Sequence, residues 1–153
     1  MKWMIAVVML LYSASSAWAA GELNIDSQKM HMDPQKNEVI FSGDVHLVRD
    51  DFDLLCDELT VFYVGHALQR ALAKGHVRIV QGEKRGKADS AVFEKRKNTI
   101  RLMGHASIED ADGVIRGHEI IHNITSKETR VLQKKGERVH LHINADAKAP
   151  EAP

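Results

Sequence analysis

A short phrase recurs three times in the chain and constrains the fold more than any other feature of the sequence. In each copy, a glycine has an apolar residue two positions before it and apolar residues two and four positions after it. The copies are Phe41–Leu47, Ala73–Ile79 and Leu102–Ile108, and their glycines are Gly43, Gly75 and Gly104. An internal repeat with a period of about 30 residues indicates similar structural units that cannot bury their apolar faces alone.

A second landmark follows each of these glycines at one constant spacing. The residues at this spacing are Asp57, Asp89 and His118, and each follows a small residue, Cys56, Ala88 or Gly117. A degraded fourth copy of the first phrase lies at Gly136, ahead of Val139, Leu141 and Ile143. Two landmarks held at one offset in three copies are poorly explained by chance, so each repeat is predicted to form the same group of two or three strands.

Apolar and polar residues alternate within each phrase, which is the pattern of a β-strand with one buried face. The glycine falls on the apolar parity, so a β-bulge, a strand bend or a close backbone approach explains it better than a turn does. The glycines also lack the strand–turn–helix context of a phosphate-binding loop. The repeats therefore predict an all-β fold.

Residues 1–20 have the features of a cleavable signal peptide. Lys2 is followed by an apolar run from Trp3 to Tyr12 and then by a small, polar segment that contains Ala17-Trp18-Ala19. Signal peptidase recognises small residues in this arrangement, so cleavage is expected after Ala19 or Ala20. The alternative is a membrane anchor, but a spanning helix needs roughly 20 apolar residues and this run is much shorter. We therefore predict that the rest of the chain is exported.

Removal of residues 1–20 leaves a chain whose size is typical of one domain. We assign residues 21–143 to that domain and predict that the Ala/Pro-rich residues 144–153 are disordered. The chain has 21 basic and 21 acidic side chains, and only Lys2 is lost with residues 1–20, whereas a nucleic-acid-binding protein usually has a basic excess. The single cysteine, Cys56, cannot form an internal disulfide, and we expect it to be a small buried residue.

Polar segments separate the predicted strands. They are Asp33–Asn37, Arg49–Asp51, Gly82–Gly86, Glu94–Asn98, Asp110–Gly113 and Thr125–Thr129. The dipeptide Asp112-Gly113 is a hairpin signal. The segment Gly65–Ala73 is ambiguous, because its low β-propensity also fits one or two turns of helix.

The repeat and the predicted signal peptide together resemble the LptA/OstA family, the periplasmic proteins that carry lipopolysaccharide to the outer membrane of Gram-negative bacteria. The residues that carry the resemblance are Phe41–Val45, Asp57–Tyr63, Ala73–Val77, Ala88-Asp89, Leu102–Ala106 and Ile115–Gly117. The chain departs from the family pattern where Gln28 and His118 replace a usual aspartate. It departs again where Asp44, His76 and His105 replace a frequent asparagine, and these departures leave the subfamily open.

The resemblance implies an antiparallel β-jellyroll, built from repeats of about 30 residues as two sheets folded on each other and open along one side as an apolar groove. It also implies a periplasmic, non-catalytic carrier that shields the acyl chains of lipopolysaccharide and stacks end to end with related domains. The implied partners are an LptC-like protein of the inner membrane, an LptD-like protein of the outer membrane and further copies of this chain. No cofactor, metal or nucleic acid is expected.

Residues that face inward in the predicted strands are the candidates for contact with lipid. They are Leu23, Ile25, Val39, Phe41, Val45, Leu59, Val61, Val77, Leu102 and Ile108, with Leu47 and Ile79 on the same parity. Plain core packing is the alternative for each of them. Leu23 and Ile25 are the stronger candidates, because the family pattern extended back from Gly43 places them in the groove lining.

Other residues give weaker functional signals. Six basic side chains could meet lipid phosphates or an acidic partner, although solvated hairpin turns are the favoured explanation; they are Lys84, Arg85, Lys87, Lys95, Arg96 and Lys97. The histidines, among them His118, His122, His140 and His142, lack the cysteines or carboxylates that would complete a metal site. The recurring carboxylates Asp57, Glu58, Asp89 and Glu119 follow from the repeat, so no enzyme is predicted.

The alternative function is a jellyroll that acts only as a structural adaptor between envelope proteins and carries no lipid. The two functions differ in whether a lipid competes with side-chain packing for the interior of the jellyroll.

Overall fold

The fold of residues 22–144, the part of the chain that the computed structural model describes, consists of β-strands joined by short turns. The strands are β1 (Leu23–Asp26), β2 (Lys29–Asp33), β3 (Glu38–Arg49), β4 (Phe52–Val64), β5 (Ala67–Gln81), β6 (Lys84–Glu94), β7 (Thr99–Glu109), β8 (Gly113–Asn123), β9 (Thr129–Leu132) and β10 (His140–Ile143). This range contains no helix that is long and apolar enough to cross a membrane. The predicted signal peptide and tail lie outside the described residues, except for Asn144.

The strand order follows the order of the chain, and every pairing is antiparallel. Strands β3 to β8 each pair with the next, β1 and β2 both pair with β3, and β9 and β10 both pair with β8. The result is one continuous sheet whose edges are β1 with β2 and β9 with β10. The predicted all-β fold is confirmed. The ambiguous segment Gly65–Ala73 belongs almost entirely to β5, because hydrogen bonding to β4 and β6 on both sides outweighs its low β-propensity.

The long strands change register at the repeated glycines. The β3–β4 ladder shifts between Ser42 and Val45, and the same shift occurs at Gly75 in β5 and at Gly104 in β7. Each glycine and the residue after it therefore form a bulge, as the sequence pattern predicts. Both bulge residues have positive φ, for example 77° at Gly104 and 48° at His105. This backbone conformation favours glycine at the first position.

The second repeated landmark packs against the glycine of the following repeat. A Cβ built on Gly104 would lie 2.9 Å from the Cβ of Asp89 on the neighbouring strand, and Asp57 occupies the same place over Gly75. The carboxylate of Asp89 also forms a hydrogen bond with Nδ1 of His105, at 2.9 Å. The two landmarks recur together because an aspartate of one repeat fills the space beside the glycine of the next.

The first and last copies vary this arrangement. At Gly43 the space is filled by Gln28, whose Nε2 donates a hydrogen bond to Asp44 at 2.9 Å. The fourth copy is degraded, because Gly136 lies in the loop between β9 and β10, with nothing within 4 Å of a Cβ built on it. The backbone N–H of His118 instead donates to the side chain of Gln133 at 2.9 Å.

The bulges bend the strands so that the two halves of the sheet pack face to face. We call the half that ends in the β3–β4, β5–β6 and β7–β8 turns the first half, and the other the second half. A Cβ built on Gly86, in the first half, would lie 3.4 Å from Cδ1 of Leu102, in the second half. Leu102 is six residues from Ile108, the cross-strand partner of Gly86. A straight strand would separate Leu102 from Ile108 by about 20 Å.

The core lies between the two halves and receives side chains from both. Its largest fully buried side chains are Val45, Val77, Leu59 and Ile120, each at most 1% exposed. Cys56 belongs to the same cluster and is 4% exposed, which confirms the prediction of a small buried residue. Burial, reinforced by the nearby charge of Asp57, raises the pKa of the Cys56 thiol to about 11.

Gly104→Ala should destabilise the fold more than Gly65→Ala does. Both glycines have positive φ, 77° and 62°, so each substitution introduces roughly 1 kcal/mol of backbone strain. Only Gly104 has a side chain where the new Cβ would lie, because nothing is within 4 Å of a Cβ built on Gly65. In urea unfolding, the loss for Gly104→Ala should exceed that for Gly65→Ala by about 1 kcal/mol or more. Equal losses would contradict a bend that depends on the Asp89 contact.

The Cys56 thiol should react with iodoacetamide far more slowly in the native protein than in the urea-unfolded chain. The thiolate is the reactive form, and a pKa of about 11 instead of 9.0 leaves much less of it at pH 8. The shift alone predicts a rate about a hundredfold lower, since each pKa unit changes the thiolate fraction tenfold. Mass spectrometry of the alkylated protein measures the rate. A native rate similar to the unfolded one would show that this part of the core is open.

Candidate functional site

Three rows of inward-facing side chains cross the whole sheet in direct register and line the space between the halves, which we call the groove. The row of the first half is Ile25, Leu47, Leu54, Ile79, Gly86, Ile108, Ile115 and Leu141. The facing row of the second half is Met30, Phe41, Leu59, Ala73, Ala91, Leu102, Ile120 and Val131. The outer row of the second half is Met32, Val39, Val61, Ala71, Phe93, Ile100, His122 and Thr129. Only His122 and Thr129 in these rows have polar side chains.

The groove is sealed in the middle and exposed at both edges of the sheet. In the middle, Leu59 and Leu102 are 1% and 4% exposed. At the edge formed by β1 and β2, Leu23 and Met30 are 53% and 60% exposed, and Leu141 at the opposite edge is 58% exposed. Exposed apolar side chains of this size at both ends of one apolar lining mark a site for contact with another apolar molecule.

All ten candidates predicted from the sequence lie on the inward parity of their strands. The structure divides them into a buried group, Val39, Val45, Leu59, Val77 and Leu102, and a more accessible group, Leu23, Ile25, Phe41, Val61 and Ile108. Members of the accessible group are half-buried or exposed, and those in the middle of the sheet, such as Ile108, pack against the core. A ligand can reach the buried group only if the halves move apart. Contact of lipid with any of the ten stays a prediction.

Met30 and Met32 also lie on the inward parity of their strand, but they are not among the candidates predicted from the sequence. Leu23 and Ile25 occupy odd positions, so a single alternating strand through residues 23–32 would place the two methionines on the opposite face. The structure breaks the strand after Asp26, where the backbone N–H of Gln28 donates to the carbonyl oxygen of Gly43 at 2.9 Å. The parity changes at this break, and the switch from odd to even apolar positions was the signal for it.

The groove opens between two sets of turns. The first lip consists of residues 50–51, 82–83 and 110–112, at the end of the first half. The second lip consists of residues 34–37, 65–66, 95–98 and 124–128, at the end of the second half. The two lips share a cleft of about 440 Å³ near β8, which is lined by Asp51, Glu83, Asp110 and Asp112 of the first lip and by Lys127 of the second.

The six basic residues that were grouped in the sequence do not form one cluster. Lys84, Arg85 and Lys87 lie in the first half of β6, whereas Lys95, Arg96 and Lys97 lie in the second lip. Within the second lip, Lys97 pairs with Glu94 at 3.0 Å, and this hydrogen bond lowers the pKa of Glu94. The two groups of cations therefore lie in different halves of the sheet.

His122 lies at the second-half end of the groove and forms a hydrogen bond through Nδ1 with Oγ1 of Thr129, at 2.9 Å. Burial lowers the pKa of His122, and the positive charges of Lys84 and Lys127 lower it further. Lys84 belongs to the first half, so the two sides of the mouth are within electrostatic reach here. Among residues 22–144, no group of three His, Cys, Asp or Glu side chains is arranged to hold a metal ion.

Comparison with known proteins gives one family. Residues 24–128 match the family described as LptA/(LptD N-terminal domain) LPS transport protein. The lipopolysaccharide export system protein LptA of Escherichia coli strain K12 is 24% identical over 125 residues, which cover 76% of this chain and 68% of the relative. The LptA protein of Shigella flexneri matches with the same identity and coverage.

A solved structure shares the fold. The crystal structure of LptH, the LptA homologous periplasmic component of the lipopolysaccharide transport device of Pseudomonas aeruginosa, matches with a TM-score of 0.73. The match has 12% sequence identity and covers 81% of this chain and 96% of LptH. The likeness confirms the predicted jellyroll, whose two sheets are here the two halves of one continuous bent sheet.

His122→Gln should make the stability of the protein less dependent on pH. Because the native pKa of His122 is lowered from 6.5, its contribution is present above pH 6.5 and is lost as the pH falls through the native value. Between pH 7.5 and 5.5, the wild type should therefore lose more unfolding free energy than His122→Gln. The difference should be under about 1 kcal/mol, since the side chain is partly exposed.

Urea unfolding at the two pH values measures this difference. His66→Gln changes an exposed turn histidine and should retain the pH dependence of the wild type. The same pH dependence in His122→Gln and in the wild type would contradict the assignment.

Proposed function

We propose that this chain, which belongs to the LptA/(LptD N-terminal domain) family of LPS transport proteins, is a non-catalytic periplasmic carrier that moves lipopolysaccharide from the inner to the outer membrane. The observation that carries the proposal is the groove. Its apolar rows run from one edge of the sheet to the other, and large apolar side chains are exposed at both edges. This surface fits the acyl chains of a lipid and offers no constellation of polar groups for chemistry on a substrate.

Partition from water supplies the binding energy. Each methylene removed from water contributes about 0.8 kcal/mol, so an acyl chain of roughly a dozen methylenes gains on the order of 10 kcal/mol when it is fully shielded. An exposed charge contact contributes only about 0–1 kcal/mol. The apolar lining therefore holds the cargo, and charges near the mouth orient it.

The sealed middle of the groove determines where the cargo enters. Cδ1 of Leu102 would lie only 3.4 Å from a Cβ built on Gly86, on the opposite side of the groove. An acyl chain in the middle must therefore separate the two halves. At the β1–β2 edge, Leu23, Met30 and Met32 are already exposed and need no such opening. Entry and exit are thus favoured at the two edges of the sheet, and transfer between neighbouring carriers would follow the same direction.

The two edges also support the proposed end-to-end stacking. Within residues 22–144, β1 and β2 pair only with β3, and β9 and β10 pair only with β8. Each edge therefore has one side free to add a strand from another chain. We propose that an LptC-like protein, an LptD-like protein or a further copy of this chain adds at these edges. Such stacking would align the apolar rows of successive domains into one path.

A photo-crosslinking residue at Ile25 or Ile108 should capture lipopolysaccharide in cells, whereas one at Leu55 or Val80 should not. Ile25 and Ile108 face the groove, and Leu55 and Val80 are outward-facing positions that are 44% and 39% exposed. Because all four are aliphatic residues in strands, the comparison isolates the face of the sheet. Immunoblots for lipopolysaccharide on the purified protein measure the capture.

Equal capture on both faces would remove the groove from the mechanism. Absence of capture at all four positions, together with crosslinks to envelope proteins, would favour the structural adaptor. The exposed Leu23 extends the test to the edge of the sheet. Capture there in the absence of capture at Ile108 would restrict the lipid to the edges.

A further inference from the structure

Successive strands run in opposite directions, so successive turns lie on alternate lips. The turns of the two lips carry charges of opposite sign. The turns of the first lip contain five carboxylates and no lysine or arginine; the carboxylates are Asp50, Asp51, Glu83, Asp110 and Asp112. The turns of the second lip contain five cations and one carboxylate, Glu128; the cations are Lys36, Lys95, Arg96, Lys97 and Lys127. The whole chain has 21 basic and 21 acidic residues, so the separation is a property of the groove mouth.

The strand ends reduce this asymmetry without removing it. Arg49 and Lys84 flank the acidic turns, and Asp33, Glu38 and Glu94 flank the basic ones. Two of the basic-lip cations are already paired, Lys97 with Glu94 at 3.0 Å and Lys36 with Asp33 at 3.8 Å. In contrast, Lys95 and Arg96 are exposed and form no ion pair with any described residue. These two adjacent side chains are the strongest available anion site of the second lip.

The two lips could instead simply attract each other. Lys127 does line the same cleft as Asp51, Glu83 and Asp112, so the lips approach near β8. Lys95 and Arg96 do not line that cleft and lie in the turn between β6 and β7. Attraction between the lips therefore uses Lys127 and leaves the β6–β7 turn available to another anion.

We propose that Lys95 and Arg96 bind the phosphates of a glycolipid headgroup whose acyl chains lie in the groove, and that the acidic lip excludes those phosphates from the opposite side. This inference rests on the proposed function, because acyl chains in the groove place the headgroup at its mouth. The basic lip attracts an anion between the lips and the acidic lip repels it, so both move the anion toward the basic lip. Exposed charges are screened beyond about 8 Å at physiological ionic strength, so the contact is confined to the nearest turns. The cargo is thus held in one orientation.

Binding of diphosphoryl lipid A, compared with its dephosphorylated form, tests the anion site. Displacement of an environment-sensitive apolar dye from the full exported chain measures both affinities. The double variant Lys95→Glu/Arg96→Glu should bind diphosphoryl lipid A about tenfold more weakly at low salt, because two exposed attractive charge contacts become repulsive. The dephosphorylated form should bind both proteins equally.

The double variant Arg78→Glu/Lys87→Glu is the matched control. Arg78 and Lys87 are exposed cross-strand neighbours on the outer face, so the variant makes the same change in net charge away from the mouth. It should bind both lipids as the wild type does. Equal weakening by the two double variants would overturn the proposal, because general electrostatic attraction would then explain the effect.

Crosslinking at the lips tests the orientation. A photo-crosslinking residue at His66, in the second lip, should capture diphosphoryl lipid A several times more than one at Ala111, in the first lip. In an Asp51→Lys/Glu83→Lys background, the two positions should capture it to a similar extent. Asp110 is left unchanged there, because its Oδ1 accepts the backbone N–H groups of Asp112 and Gly113, at 2.8 and 3.1 Å, and so holds the turn.

Three results would overturn the inference. Equal capture at His66 and Ala111 in the otherwise wild-type chain would remove the orientation. Capture at Ala111 that requires Mg²⁺ would place the phosphates on the acidic lip through the metal. Binding of inorganic pyrophosphate as tight as that of lipid A, with the same dependence on Lys95 and Arg96, would identify a site for free phosphate. In all three cases dye displacement by dephosphorylated lipid A would persist, whereas its loss would remove the proposed function as well.

Discussion

A strand that belongs to both halves of this sheet must bend where it crosses from one to the other, and the rest of the structure depends on how that bend is held. The Gly-X bulge provides the bend, and a side chain from the neighbouring strand occupies the space beside the glycine. Because Asp57 lies on Gly75 and Asp89 lies on Gly104, each repeat positions the bend of the next one. The bends therefore align across the sheet, and a continuous groove follows from contacts between sequence neighbours.

Aligned bends bring apolar rows face to face, and the fold uses them for two purposes. In the middle, buried side chains such as Leu59 and Ile120 each contribute about 1.5–3 kcal/mol to folding. The same contacts exclude a ligand until the halves separate, so an acyl chain that enters there must first replace side-chain contacts across the groove. At the edges, Leu23 and Leu141 gain burial as soon as a ligand or a neighbouring domain covers them. The edges are consequently the energetically favoured places for exchange.

The local features of the fold could be predicted from the sequence, and its long-range contacts could not. The parity of Gly43 and of the apolar residues around it predicts a bulge and an inward face, because both depend on a few neighbouring residues. The division of the inward residues into buried Leu59 and accessible Ile108 depends on how the halves meet. The packing of the two halves depends on long-range proximities such as that of Leu102 to Gly86. The periodicity of the sequence does not predict such proximities. The parity change between Ile25 and Met30 was visible in the sequence, but its cause is a hydrogen bond to β3.

The sorting of charge at the groove mouth follows from the repeat itself. Each repeat contains two strands and two turns, so one turn of each repeat lies on the first lip and the other on the second. Substitutions at alternate turns can therefore change one lip without the other, and without altering any buried residue. Asp51 and Lys95 resemble the charged residues of any solvated turn. Their opposite electrostatic effects become apparent only when the topology assigns them to opposite lips. A chain with a net charge near zero can in this way produce an electric field across the groove mouth. That field orients a charged molecule, which the uncharged apolar groove alone would not do.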